Sequence, residues 1–321
     1  MTEKKKPQVI AIEEHYFDRE IVKHYDERQA RPALRSRLED MGEQRLKEMD
    51  EAGIDIQVLS QAAPGTHFMD AATAVPLARG ANDRLRESIR AHPDRFAGFA
   101  TLPASDPNAA ADELERAVTK LDMKGAMVHG LTNGLFFDDK RFWPIMERAQ
   151  ALDVPIYLHP SMPHPAVVEA YYKDYAKDFP AILSAGWGFT VETATQGIRL
   201  VLSGVFEAYP RLKIILGHLG ESLPFSLWRI DHSLSRKGNR VMASSFRDVF
   251  CENFWITTAG NFSDPALMCC VQEMGVDRIL FAVDWPYVEN RPGTEWMESV
   301  PLCTEDRNKI LHGNAKRLLK M

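Results

Sequence analysis

The chain is predicted to be an α/β protein folded as a (β/α)8 TIM barrel, and three observations predict it. Eight short apolar segments, most of them rich in β-branched residues, are spaced along the 321 residues, and each is followed by a helical pattern. No composition break, low-complexity tract or repeat divides the chain, so residues 1–321 are read as one barrel domain with an insertion at about 160–182. Five of the eight segments end in a group able to bind a metal or move a proton, and a barrel gathers those strand ends on one face. A doubly wound open sheet is the competing architecture.

The first strand is Val9–His15, where a β-branched run leads into Glu13 and His15. Residues 16–38 are charged and read as a long loop, followed by a helix over about 40–52 that stops at Gly53. Residues 54–60 alternate as a second strand. A helix over 70–91, interrupted by Pro76, precedes a strand at 96–102. Asp106 and Pro107 then supply an N-cap and a first-turn proline for a helix whose apolar face is Ala111, Leu114, Val118 and Leu121. A strand at 125–129 and a helix at 138–151 follow. Pro155, tolerable only near a strand start, opens the strand that ends at His159. Residues 160–182 read as an irregular insertion long enough to cover a substrate. The remaining pattern is helix 190–208, strand 212–218, helix 221–236, strand 254–258, helix 264–274, strand 278–284 and a closing helix at 305–320.

Composition narrows the function. A net charge of -6 argues against a nucleic-acid surface, and only the segment Met1–Pro7 is markedly basic, which reads as a solvated tail. No apolar run approaches the roughly 18 residues of a membrane span. Cys251, Cys269, Cys270 and Cys303 show no CxxC spacing and read as buried thiols in a cytoplasmic protein.

The chemistry collects at strand ends. On a strand, alternate side chains share a face, so Glu13 and His15 point together. With His159 and Asp284 they make two imidazoles and two carboxylates, a donor set suited to Zn²⁺ or Mn²⁺ rather than Mg²⁺ or Ca²⁺. His218 and Glu221 are three apart across a strand-to-helix turn. Glu221 could orient the imidazole of His218, or simply sit in a first helical turn where the dipole favours it. His129 ends another strand. Arg229 could meet a substrate carboxylate, Asp231 or a neighbouring subunit, and His164 and Trp187 could touch substrate from the insertion. His24, His67, His92 and His312 carry no partner pattern and read as surface residues.

Five motifs carry a resemblance: Glu13-Glu14-His15, Arg79-Gly80-Ala81-Asn82-Asp83, Tyr157-Leu158-His159-Pro160, Gly217-His218-Leu219-Gly220-Glu221 and Asp284-Trp285-Pro286-Tyr287. At these residues the chain resembles the o-hydroxybenzoate decarboxylases of the metal-dependent amidohydrolase superfamily, the group acting on γ-resorcylate, 2,3-dihydroxybenzoate and 5-carboxyvanillate. The likeness spans the chain and is weakest at 16–40, 130–140 and 160–185. Its specific part is the E-x-H opening, since most hydrolytic members begin with H-x-H. The resemblance implies one divalent ion, Mn²⁺ or Zn²⁺, on Glu13, His15, His159 and Asp284, an acid/base pair at His218 and Glu221, and no organic cofactor. Where the γ-resorcylate-type enzymes carry Asn in a Val-Asn-Gly turn, this chain has Val128-His129-Gly130.

The implied reaction is non-oxidative decarboxylation of a small aromatic carboxylic acid, with Asp284 protonating the ring carbon before CO₂ leaves. The competing readings are metal-assisted hydrolysis of an ester, lactone or amide, and a barrel with a vestigial site. A homodimer or homotetramer is expected, with neither nucleic acid nor membrane as a partner.

Overall fold

In the computed structural model, which describes residues 7–25, 32–236 and 242–321, the apolar segments form a closed ring of parallel strands. These are β1 (Ile10–Tyr16), β2 (Ile56–Gln61), β3 (Phe96–Gly98), β4 (Ala100–Thr101), β5 (Ala126–His129), β6 (Pro155–His159), β7 (Lys213–Leu216), β8 (Phe254–Thr257) and β9 (Ile279–Leu280). β1 to β3 pair in order, and so do β4 to β9. β3 and β4 are one strand broken at Phe99: its N–H bonds the Leu59 carbonyl on β2, while Ala100 N–H bonds the Gly125 carbonyl on the β5 side, both at 2.9 Å. The other seam closes through Ile12 N–H on the Phe281 carbonyl (3.2 Å) and His15 N–H on the Trp285 carbonyl (2.7 Å). The predicted barrel is what forms.

β1 is not a regular strand. Ala11 pairs with Gln57 and Glu14 with Leu59, so three steps on β1 match two on β2. One extra residue makes a bulge and shifts the alternation. Below it, Ile10 and Ile12 pack inside the barrel with Val58, Phe99, Met127 and Leu280, while Val9 and Ala11 pack under the helices. Above it, Glu13 bonds Thr257 and His15 lies against His159, so both turn inward.

Several elements differ from the sequence reading. The stretch 16–38 contains a turn of 3₁₀ helix (Ile21–His24) and the start of the helix Pro32–Glu39; residues 26–31 lie outside the described residues, as do 1–6 of the basic tail. Helix Ala71–Ala91 continues through Pro76 and is capped by Asp70 on Thr73 N–H (2.8 Å). The insertion is helical rather than irregular, built of short turns between Pro165 and Leu183. Helices Phe246–Asn253 and Asn290–Ser299 were not anticipated. Ser245 caps the first on Asp248 N–H at 3.0 Å, a signal present in the sequence. Residues 218–222 form a left-handed turn, and the helix begins at Leu223. Of the cysteines, all free, only Cys270 is buried; Cys251 and Cys269 are half-buried and Cys303 is exposed. Cys303 takes an N-cap position, its sulfur accepting from Asp306 N–H at 3.5 Å.

Candidate metal centre

Glu13, His15, His159 and Asp284 each offer a ligand atom, and those atoms lie within 4.8 Å of one another. His15 Nε2 is 3.2 Å from Asp284 Oδ1, and His159 Nε2 is 3.4 Å from Glu13 Oε1. The surroundings aim these atoms. His159 Nδ1 bonds the Pro160 carbonyl at 2.7 Å; a carbonyl only accepts, so Nδ1 carries the proton and Nε2 presents a lone pair. His15 Nδ1 meets Ser60 Oγ at 3.2 Å. Glu13 Oε2 is held by the Tyr157 hydroxyl and, at 3.0 Å, by Thr257 Oγ1. Gly217 stands so close that a Cβ there would lie 3.0 Å from Glu13 Oε2.

Two buried atoms of this set, Glu13 Oε1 and His15 Nε2, have no hydrogen-bond partner. Leaving such an atom unpaired costs roughly 1–3 kcal/mol. A divalent cation among them relieves both, so the residues fit the ion that the donor set implies. Charge follows the same crowding. Burial pushes the Glu13 carboxyl up, and the nearby Asp284 charge adds to it. Burial also works against ionisation of Asp284, yet the close approach of His15 and His218 holds it well below the usual carboxylate range.

His218 stands behind this quartet. Its Nδ1 bonds Glu221 Oε1 at 2.7 Å, and its Nε2 lies 3.7 Å from Asp284 Oδ2 and 3.8 Å from Glu13 Oε1. His218, Leu219, Glu221 and Ser222 all have φ between 51° and 63°, with Gly220 at 74°. A left-handed non-glycine residue costs roughly 1–2 kcal/mol, so this run stores strain to bring His218 and Glu221 together. Burial opposes the imidazolium, but Glu221 and Glu13 outweigh it and hold His218 protonated well above the ordinary histidine range. The sequence paired the right residues but not by the helical turn it offered as an alternative.

His129 is buried beside His159, with Nδ1 to Nδ1 at 3.3 Å. Against the expectation of a surface residue, His67 lies buried behind it. His67 Nε2 accepts the His129 backbone N–H at 3.3 Å, and its Nδ1 bonds Thr132 Oγ1 at 2.7 Å. Nothing in the local pattern around His67 marks this, because its partners are 62 and 65 residues away. Burial lowers the His67 pKa from 6.5 to about 4. The unfolded chain therefore takes up a proton that the folded chain refuses. The associated stability is complete above pH 6.5 and lost as pH falls toward 4, on the order of 3 kcal/mol. Urea unfolding at pH 7 and pH 4.5 is expected to show the wild-type protein losing about 2 kcal/mol more than His67→Gln. Equal losses would mean that His67 carries no such penalty.

The remaining sequence candidates are not gathered into the quartet. Arg229 is exposed and lines an apolar groove between helices Gly188–Ser203 and Leu223–Arg236, with Trp187 at the same groove and Glu221 at its wall. Asp231, offered as a partner for Arg229, instead accepts from Arg247 N–H at 3.2 Å. His164 is half-buried and caps its own turn by accepting Ala166 N–H at 3.1 Å. Tyr157 and Thr257 were missed. Tyr157 was detectable, since it sits two before His159 on β6 and so shares its inward face.

The site and the barrel define an enzyme class. A family model described as Amidohydrolase matches residues 15–321, and the chain belongs to that family. It is 41% identical over 325 residues to γ-resorcylate decarboxylase of Polaromonas sp., covering 97% of this chain and 98% of that protein. A crystal structure of 2,6-dihydroxybenzoate decarboxylase complexed with 2,6-dihydroxybenzoate superposes with a TM-score of 0.90 at 39% identity, covering 98% of this chain and all (100%) of the other. A dihydroxybenzoic acid decarboxylase from Polaromonas sp., solved with manganese and the inhibitor 2-nitroresorcinol, also gives 0.90, at 42% identity over 98% of this chain and 97% of that one.

Proposed function

We propose that this protein is a metal-dependent, non-oxidative decarboxylase of an o-hydroxybenzoate-type aromatic acid. The observation that carries the reading is the convergence of Glu13, His15, His159 and Asp284 with the His218–Glu221 pair directly behind them. The likeness to γ-resorcylate decarboxylase supports it. The four residues would hold one divalent ion, manganese as in the Polaromonas structure, or zinc on the donor set alone. When bound, the ion supplies positive charge that attracts the phenolate and carboxylate oxygens of the acid.

Direct loss of CO₂ would leave an aryl carbanion, so the ring carbon bearing the carboxylate is protonated first, helped by electron density from the ortho oxygen. Asp284 is ionised in the resting protein, and the proton must reach it before it is delivered. His218, protonated and 3.7 Å away, is its source, with Glu221 fixing the Nδ1 side. Asp284 passes the proton to the ring carbon. The carbon–carbon bond then breaks, its electron pair restores the aromatic ring, and CO₂ leaves.

His129 borders the acid beside His159 in this reading, and a residue larger than Asn there shapes the pocket. His164, Trp187 and Arg229 are weaker substrate contacts, since none bonds the ligand quartet. The barrel acts as one catalytic domain covered by the insertion at 160–182. The groove beside Trp187, with Phe225 85% and Trp228 68% exposed near it, is the surface through which the chain forms a homodimer or homotetramer; a monomer in light scattering would contradict this. Among the described residues no helix is long and apolar enough to cross a membrane. Four unpaired cysteines favour the cytoplasm.

The test is a panel of o-hydroxybenzoates, 2,6- and 2,3-dihydroxybenzoate included, given to manganese-loaded protein. CO₂ release with the matching phenol is the expected result. Silence across the panel would favour hydrolysis of an ester, lactone or amide instead.

A further inference from the structure

Glu14 belongs to the first motif but does not join the metal ligands. Strand alternation turns it away from Glu13 and His15, and it is fully buried. Its two oxygens take the backbone N–H groups on either side of Asp284: Oε1 accepts from Val283 at 2.9 Å and Oε2 from Trp285 at 3.1 Å. Between them Asp284 N–H bonds the Glu13 carbonyl at 3.0 Å. Three successive N–H groups are thus held by two consecutive residues of β1. In a regular strand the N–H groups of alternate residues point the same way but stand about 7 Å apart, so one carboxylate closes on both only where the backbone bends between them. The backbone bends so at Asp284, with φ at +76°. Held this way, a non-glycine residue is strained by roughly 1–3 kcal/mol and needs a partner that makes the turn worthwhile.

The same turn is braced from below. Arg45, fully buried, stacks over the Trp285 ring at 4.1 Å and donates from Nη2 to the His15 carbonyl at 2.7 Å. The Trp285 indole N–H bonds Glu48 Oε2 at 2.7 Å. Hydrogen-bonded through both oxygens on the far side of the strand, Glu14 is not among the ligand atoms that converge.

We infer that Glu14 is a positioning residue for Asp284: its carboxylate clasps the N–H groups of Val283 and Trp285 and so fixes the left-handed turn that presents Asp284 to the metal centre. This rests on the reading of Asp284 as a metal ligand. A glutamine in place of Glu14 keeps the shape but turns an NH₂ toward one of the two N–H groups, so the clasp is half lost.

The experiment is a double-mutant cycle read on manganese affinity by equilibrium dialysis, without substrate. Glu14→Gln is expected to weaken manganese binding by about tenfold or more, the scale seen when an outer partner of a metal ligand is removed. At saturating manganese its kcat falls with KM little changed. In an Asp284→Asn background the same substitution is expected to change affinity less than about twofold, because the ligand it positions has already been altered. Unchanged affinity in Glu14→Gln, or an equal loss in both backgrounds, would overturn the inference. If Glu14→Gln does not fold, amide exchange in the wild-type protein decides: N–H groups 283–285 are expected to exchange as slowly as those of β1, and fast exchange overturns the proposal. Because dialysis needs no turnover, a protein silent on the acid panel with the cycle intact would remove the decarboxylase reading and leave the role of Glu14 standing.

Discussion

Asp284→Asn is expected to lower kcat by about 10³-fold or more at saturating manganese, even where the metal site still fills. The amide cannot carry the proton from His218 to the ring, and it removes one of two carboxylates from the ligand set. Both losses fall on one residue because the turn after β9 puts Asp284 Oδ1 3.2 Å from His15 Nε2 and Oδ2 3.7 Å from His218 Nε2. The assay must run at several manganese concentrations, so that a weaker site is not mistaken for a missing proton donor. A kcat near the wild-type value would remove Asp284 as the acid and leave it only as a ligand.

Stripping the metal is expected to abolish turnover and to lower thermal stability together. Glu13 Oε1 and His15 Nε2 are buried without partners, and Glu13 and Asp284 repel each other across the site. An ion bound only by the folded chain stabilises it by about 4 kcal/mol at a thousand times its dissociation constant. For a chain of this length that corresponds to a rise of roughly 6 °C in Tm. Calorimetry of chelator-treated protein before and after manganese addition measures the shift, and the acid assay follows activity in the same samples. Full activity in demonstrably metal-free protein would refute the assignment.

Residues whose signal is local were legible in the sequence. Glu13 and His15 share a strand face, and His159 and Asp284 end apolar segments, so the barrel alone brings them together. Asp106 with Pro107 announced its helix for the same reason. What escaped depends on contacts remote in sequence. His67 looked solitary because the partners that bury it lie more than sixty residues away. The turn at 218–222 reads like a helix start, because four of its five left-handed residues are not glycine and carry no local preference for that backbone. Arg229 and Trp187 line a groove between two helices that Glu221 also borders, an adjacency set by how the helices pack and not by local sequence.

The extra residue in β1 also makes the centre depend on counting as much as on chemistry. Ile10 and Ile12 fill the barrel floor while Glu13 and His15 reach its mouth, a combination that strict alternation forbids. Excising any one residue between Ala11 and Glu14 would restore an unbroken zigzag without touching His15. His15 would keep its place opposite Ser60 and still face inward, but Glu13 would be lost or drawn down to the level of Val58, and the remaining ligands would lack its carboxylate at the mouth. A length change too small to disturb the barrel is enough to erase its chemistry.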